Sequence, residues 1–477
     1  VRLNIWADYQ ILLRDTGGII EMRVKKIAAL VMSAAMVLGL TACGGGSGSS
    51  SSDASASKAS SESTASSGGS SSKSSADKII VNIWDNNQLA GIQAIADEWS
   101  KESGVGVQIN VIDWDNYWTL LEAGARGGEM PDVFWMHSNT AQMYMENDLL
   151  LNLDDYIKAE GLDMSKYYDG IVKLYQSGGH QYALPKDHDT IALLYNEKIF
   201  KEYGVDVPTD SWSWADVEKA AAQITEKSGG KVYGFAMNTS NNQDGWYNLV
   251  EAYGGHIVTE DHKSSTLGSD QAKAGMEQLR KILVSAAPQS VVAETGTDSL
   301  FASGQAAMIT QGSWMINFFY TAENHADYKW AMIPYGDANG NGKEDPGERA
   351  SCYNGLGWAV SANTVAPEAC YSLISYFCSE AGQKKQAELG VTMGGMKGIS
   401  EAFASAFDGM DVSAFTKVEE VGTLYFRPYT RNTTVWEDKL QQAGAFLDPW
   451  QDPSDPAKMA TACENAQKII EDAIAAE

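Results

Sequence analysis

From residue 79 onward the apolar positions change period repeatedly. Ile79-Ile80-Val81-Asn82-Ile83-Trp84 is a dense apolar run of strand length. Ile92, Ile95, Ala96 and Trp99 then recur at i, i+3, i+4, i+7, which is one face of a helix. Val105, Val107, Ile109 and Val111 alternate as in a strand. Tyr117, Leu120, Leu121 and Gly124 return to the helical period, and Pro131-Asp132-Val133-Phe134-Trp135-Met136 reads as a third strand. Strands alternating with helices predict an α/β architecture with parallel pairing. Further helices are predicted at 213–225, with Ser213 and Asp216 set as a capping box, at 270–284 and at 367–379. A last helix carries Met459, Cys463, Ala466, Ile470 and Ala473 at steps of four and three. The chain shows no internal repeat.

The first 76 residues follow other rules. Met22-Arg23-Val24-Lys25-Lys26 is a basic start, and Ile27 to Leu38 is a mostly apolar stretch too short to span a bilayer comfortably. Leu40-Thr41-Ala42-Cys43 follows at once. That tetrapeptide resembles the lipobox of bacterial lipoproteins. The resemblance implies a signal peptide at 22–42, cleavage before Cys43 and a diacylglycerol on its sulfur; an ordinary signal peptide with an incidental Cys is the alternative. Residues 1–21 precede a plausible initiator Met22 and read as a miscalled start, or else as an extended leader. Between Gly44 and Ala76, seventeen of 33 residues are Ser. Such a segment cannot bury enough apolar surface to offset its ordering entropy, so 43–76 reads as a lipidated Cys and a disordered tether, spanning about 30 Å.

At 477 residues and 44% hydrophobic, the chain is long enough for two or three domains with sizeable cores. With 62 acidic against 35 basic residues the net charge is −27, and −29 once residues 1–42 are removed. This balance argues against nucleic acid and against adsorption to an anionic membrane through the folded surface. Four cysteines beyond Cys43, namely Cys352, Cys370, Cys378 and Cys463, make no disulfide framework in an exported chain and read as small buried hydrophobes, with a single disulfide of undetermined pairing as the alternative.

Five segments point to a family in order along the chain. They are Ile83-Trp84-Asp85-Asn86-Asn87; Gly127-Gly128-Glu129-Met130-Pro131-Asp132-Val133; Ala183-Leu184-Pro185-Lys186-Asp187-His188-Asp189-Thr190 with Leu194-Tyr195-Asn196; Phe301-Ala302-Ser303-Gly304-Gln305 leading to Gly312-Ser313-Trp314; and Gly355-Leu356-Gly357-Trp358 with Pro367-Glu368-Ala369. Together they resemble the extracellular solute-binding proteins of bacterial ABC importers, in the sugar-binding group that includes maltose-binding protein. The resemblance implies a two-lobed periplasmic-binding-protein-like α/β fold with a hinge and an interlobe ligand cleft. It places 77–188 and 355–395 in lobe 1, and 189–354 and 396–477 in lobe 2. The implied partners are a carbohydrate and the permease subunits of an ABC transporter in the membrane. The implied place is the outer face of the cell membrane, lipid-anchored, and a monomer is expected.

Sugar recognition needs aromatic planes for the C–H faces of the rings and polar groups for the hydroxyls. Thirteen of the fourteen tryptophans follow Asp77. In open α/β sheets ligands sit beyond the carboxyl ends of strands. That rule selects Asp85, Asn86 and Asn87 after the first strand, His137, Ser138 and Asn139 after the third, and Asp187 and Asp189 at the crossing between lobes. Capping and turn chemistry explains the same residue types equally well. Family position adds Trp314 and Trp358 as stacking platforms. Trp246 stands in the polar run 241–246, and Arg427 and Trp436 are further candidates. The match departs from maltose-binding protein after Trp135, which leaves the particular sugar open.

Residues 337–348 satisfy the calcium-loop pattern D-x-[DN]-x-[DN]-G-x5-E in full. Ligands would come from Asp337, Asn339, Asn341, the Lys343 carbonyl, Asp345 and Glu348, with Gly342 at the sharp turn. A strand rather than a helix precedes it, so a full EF-hand is not expected, and calcium would be structural. An Asn-Gly-rich surface hairpin is the alternative. No catalytic motif accompanies these features, and an enzyme is not expected. A surface glycoside hydrolase, or a binder of polyamine, metal ion or glycerol phosphate, are the other readings.

Overall fold

The structure, a computed structural model, describes residues 78–239, 243–441 and 445–477. The leader, Cys43, the tether and residues 1–21 lie outside the described residues. Everything below belongs to one unit, Ser72–Glu477.

The chain runs β1 (Lys78–Ile83), α1 (Asn86–Ser103), β2 (Gly106–Val111), α2 (Trp114–Gly127), β3 (Val133–Met136), α3 (Ser138–Glu146) and β4 (Ala183–Pro185). It continues through β5 (Ile191–Asn196), α4 (Trp214–Lys227), α5 (Asp270–Leu283), β6 (Met308–Gly312), β7 (Tyr328–Met332), β8 (Ala350–Tyr353), β9 (Gly357–Val360), α6 (Pro367–Cys378) and α7 (Glu380–Glu388). It ends with α8 (Ala414–Val421), β10 (Thr423–Phe426), α9 (Thr433–Gln441) and α10 (Pro456–Ala475). The helix starts follow local chemistry. Asp85 caps α1, Ser213 and Asp216 form the expected box on α4, and Asp455 caps α10 ahead of Pro456. No helix among the described residues is long and apolar enough to cross a membrane.

Lobe 1 is a five-stranded sheet in the order β2-β1-β3-β9-β4. β1 is parallel to β2 and β3, as the alternation of strands and helices predicts. β9 is antiparallel to β3 and β4, against that prediction. A parallel strand needs a crossover that brings the chain back to its starting end. β9 instead enters directly from the second lobe, so its direction is reversed. Lobe 2 is built on β6-β5-β7, antiparallel throughout, with β8 and β10 paired in parallel beside it.

Both faces of each central sheet are covered, so side-chain alternation sorts residues between cores rather than between core and water. On β3, Val133 and Trp135 join one core while Phe134 and Met136 join another. On β5, Ile191, Leu193 and Tyr195 pack among α4, α5 and α10, while Ala192 and Leu194 face the cluster that continues into lobe 1. The chain does not leave lobe 1 directly after 395. The helix Ser400–Ala404 packs on α7 before α8 reaches β7 and β10. All four described cysteines are free and buried.

Two crossings join the lobes side by side, residues 186–190 and 354–356. Asp189 N donates to Asn354 O at 2.7 Å, Asn354 N to Asp189 O at 3.3 Å and Lys186 N to Leu356 O at 2.8 Å. Gly355 lies so close that an added Cβ would meet the Asp187 carbonyl oxygen at 2.2 Å. We therefore expect Gly355→Ala to push the crossings apart and to cost about 1–3 kcal/mol of stability, read by denaturant unfolding. An unchanged midpoint would show that the crossings can separate freely.

Candidate functional site

The carboxyl ends of β1, β2 and β3 meet at one edge of the lobe 1 sheet, and four aromatic residues gather there. Trp84 follows β1, Trp114 opens α2, and Tyr117 and Trp118 lie one turn further on. The Trp84 ring centroid stands 5.1 Å from Trp114, 5.0 Å from Tyr117 and 5.9 Å from Trp118. Trp114 is 41% exposed. His137, at the end of β3, sits 5.5 Å from the Trp114 ring. Sequence reasoning selected the polar residues at these strand ends and missed the tryptophans beside them. The same rule of position would have selected Trp84 and Trp114.

His137 stands before α3 with its Nδ1 2.8 Å from Asn139 Oδ1, and its Nε2 meets Asn354 Nδ2 at 3.1 Å. Asn354 Nδ2 also donates to Gln243 Oε1 at 3.0 Å. This chain of contacts ties β3, the second crossing and lobe 2 together. Burial, followed by the nearby Arg427 guanidinium, pushes the His137 pKa down to about 3, so the ring is neutral at ordinary pH. Asn354 and Gln243 are site residues that sequence reasoning missed; Asn354 immediately precedes the Gly-Leu-Gly of the crossing.

Four buried polar atoms around this network have no hydrogen-bond partner: Ser138 Oγ, Asn354 Oδ1, Asp244 Oδ1 and Arg427 Nη1. Buried polar groups are nearly always paired, so four together mark a place where something else supplies partners. Burial and then the Asp298 carboxylate hold the Asp244 pKa well above the usual range.

The other predicted residues divide. Asp85 is engaged in capping, its Oδ1 accepting from Asn87 N and its Oδ2 from Gln88 Nε2. Asn86 and Asn87 are exposed on the first turn of α1, and the Asn87 carbonyl accepts from Asn317 Nδ2 of lobe 2 at 3.2 Å. Trp314 is half-buried over the Gly312 backbone and keeps part of its surface free. Arg427 is buried and paired with Glu437 at 2.8 Å.

Trp358, Trp246 and Trp436 are corrections. Trp358 stacks on Phe377 with centroids 4.6 Å apart and also meets Trp135. Trp246 lies among Tyr247, Phe446 and Trp450. Trp436 is wholly buried and donates from Nε1 to Thr430. Rings enclosed by their own chain offer no face to a sugar. Asp187 is a correction too. Its Oδ2 pairs with Lys186 Nζ at 2.5 Å and its Oδ1 accepts from Leu356 N at 2.7 Å, all in the interior. Asp189 Oδ1 accepts from Ser313 Oγ. His188 bonds neither flanking aspartate, but Gly394 O and Glu419.

With this geometry in view, the family model for bacterial extracellular solute-binding proteins matches residues 84–384. A galactooligosaccharide-binding protein of Bacillus subtilis is 24% identical over 320 residues, covering 64% of this chain and 70% of that protein. A maltotriose-binding protein of Pyrococcus abyssi is 26% identical over 242 residues, and the chain spans about half the length of that relative. Among solved structures, an ABC substrate-binding protein of Listeria monocytogenes in complex with cycloalternan superimposes with a TM-score of 0.72 at 20% identity, over 83% of this chain and 98% of that one. The last likeness shows the fold.

Asp189 carries a pH prediction. Burial, then the neighbouring Asp187 carboxylate, pushes its pKa up to about 7, against about 3.9 in an unfolded chain. The folded state therefore holds the extra proton between those values. This contribution to stability is whole below about pH 4 and is lost as the pH rises through about 7. Thermal unfolding from pH 4 to 8 should show the wild type falling relative to Asp189→Asn across that window. Parallel profiles would rule out a titrating Asp189.

Proposed function

The chain belongs to the bacterial extracellular solute-binding proteins, and on that premise we propose that it captures a carbohydrate, an oligosaccharide, and delivers it to the permease of an ABC transporter. Its two-lobed fold is that of maltose-binding-like proteins. The family is one of binding proteins and not of enzymes. The observation that carries the carbohydrate reading is the juxtaposition at the lobe junction. Trp84, Trp114 and Trp118 line a strand-end edge, His137 stands 5.5 Å from Trp114 and meets Asn354 at 3.1 Å, and Asn354 and the adjacent Ser138 each hold a buried polar atom without a partner. Ring faces and hydroxyls need those two kinds of group together. Relatives named for galactooligosaccharide and maltotriose, and a structural neighbour solved with cycloalternan, support the same class.

The protein works as a monomer outside the cytoplasm. Cys43 anchors it to the outer face of the membrane through a diacylglycerol, a reading that rests on Leu40-Thr41-Ala42-Cys43 behind its basic and apolar leader.

Thermal unfolding against a glycan panel tests the proposal, with spermidine as a contrasting arm because Asp244 and Asp298 would suit an amine. A glycan at about 100 times its dissociation constant adds about 2.7 kcal/mol to stability. Ser138→Ala should hold or raise the unliganded midpoint, since the hydroxyl has no partner to lose, yet weaken the glycan about 3–10-fold. Trp114→Ala should weaken it by a similar factor through lost stacking. A shift with spermidine and none with any glycan would keep the fold and overturn the carbohydrate reading.

A further inference from the structure

We propose that the loop Asp337–Glu348, between β7 and β8, is a calcium site. The twelve-residue pattern sets six oxygen donors at positions one, three, five, seven, nine and twelve. Local turns in the folded loop fix several of these oxygens. Asp337 Oδ2 accepts from Gly342 N at 3.0 Å, Asn339 Oδ1 from Asn341 N at 3.0 Å, and Asn341 Oδ1 from Lys343 N at 2.8 Å. The Glu348 carboxylate closes the ring, Oε1 accepting from Ala338 N at 3.0 Å and Oε2 from Asp345 N at 2.9 Å. Gly340 and Gly342 both turn at φ +71°, a conformation side chains resist.

A separate observation points to a cation. Asp337 Oδ1 is sealed from solvent and has no hydrogen-bond partner. A carboxylate oxygen that has lost its water and gained no donor is costly, and a bound cation removes that cost. Glu348 at the other end of the loop is only 8% exposed, so a second carboxylate is held in the interior beside it. The middle of the loop is exposed, which leaves an entry path. The neighbouring Glu344 is not available, because it is paired with Arg349 at 2.6 Å.

The donor set selects the metal. No three His, Cys, Asp or Glu side chains converge on a metal position among the described residues. In this loop only Asp337 and Glu348 would be direct carboxylate ligands. Asp345 now accepts from the side-chain amides of Asn339 and Asn341, at 2.6 and 2.8 Å, and acts through water. Amide and carbonyl oxygens on a flexible ring suit calcium. Magnesium demands a tight octahedron and gives up water reluctantly, and thiol- or imidazole-seeking metals find no ligand. The low charge count places affinity in the weak range of extracellular calcium modules, about 0.1–1 mM. Because Gly336 N donates to Glu348 O at 2.6 Å and β8 begins two residues later, the ion would brace the strand that leads into the second crossing.

The test is calcium titration calorimetry on the full chain, freed of metal with chelator, with thermal unfolding in calcium, magnesium or chelator. We expect one calcium per chain, and a midpoint about 2 °C higher at about ten times the dissociation constant. Magnesium should give a smaller shift. Asp337→Asn and Asn341→Ala should each weaken calcium at least about tenfold. Asn341 is exposed, so its replacement leaves the fold intact if the Asp337 variant does not fold. Neither heat nor shift up to about 10 mM calcium, or a shift that both variants leave unchanged, would overturn the proposal.

Discussion

The structure depends on carrying a polar chain through its own interior. Residues 186–190 cross from one lobe to the other with every side chain buried, Lys186 and Asp187 included. Those two charges are tolerable only because they meet each other at 2.5 Å, with Lys186 also bonded to Gln88 and set 4.6 Å over the Trp135 ring. Removing one partner of such a pair typically costs about 3–5 kcal/mol, since the other charge is left stranded. Asp187 then spends its second oxygen on Leu356 N, which fixes the returning crossing against the outgoing one. The pair thus links α1, the β3 tryptophan and both crossings.

The rest of the interlobe surface follows from how completely polar groups are satisfied. Along residues 186–190 the buried side chains are paired with their own chain, so this first crossing offers little to a ligand. A short distance away His137, Asn354 and Gln243 form a chain whose neighbours keep unpaired atoms. Further contacts span the lobes at the periphery, with Asn317 reaching Asn87 and Arg431 pairing with Glu146. The proposed site lies where polar groups are left unpaired beside an aromatic edge.

Much of the fold was legible locally. The helical spacing of Ile92, Ile95, Ala96 and Trp99, the Ser213–Asp216 box and the apolar stripe of α10 all stand where the pattern predicted. Leu120 falls in the helix its spacing predicts and is 54% exposed, since spacing alone does not say which apolar positions are covered. The candidate site was half legible. Strand-end position points to His137 and Ser138, and applied to tryptophans it points to Trp84 and Trp114. Trp358, which family position selects, and Trp436 are core. Charge misled in the same way: Asp187 has the residue type of a ligand contact, and the structure gives it a buried lysine.

By itself the sequence determined the period of each element, the caps that begin the helices, the family resemblance and the twelve-residue oxygen pattern at 337–348. These rest on interactions within a few residues, which spacing reports directly. Only the tertiary structure decided which tryptophans are enclosed, which carboxylates already have partners, and that β9 runs antiparallel. Each of those is set by groups far apart in the chain: Asp187 meets Leu356, Trp358 meets Trp135, and His137 meets Asn354. Burial and hydrogen-bond satisfaction are properties of the assembled surroundings, and no local pattern encodes them.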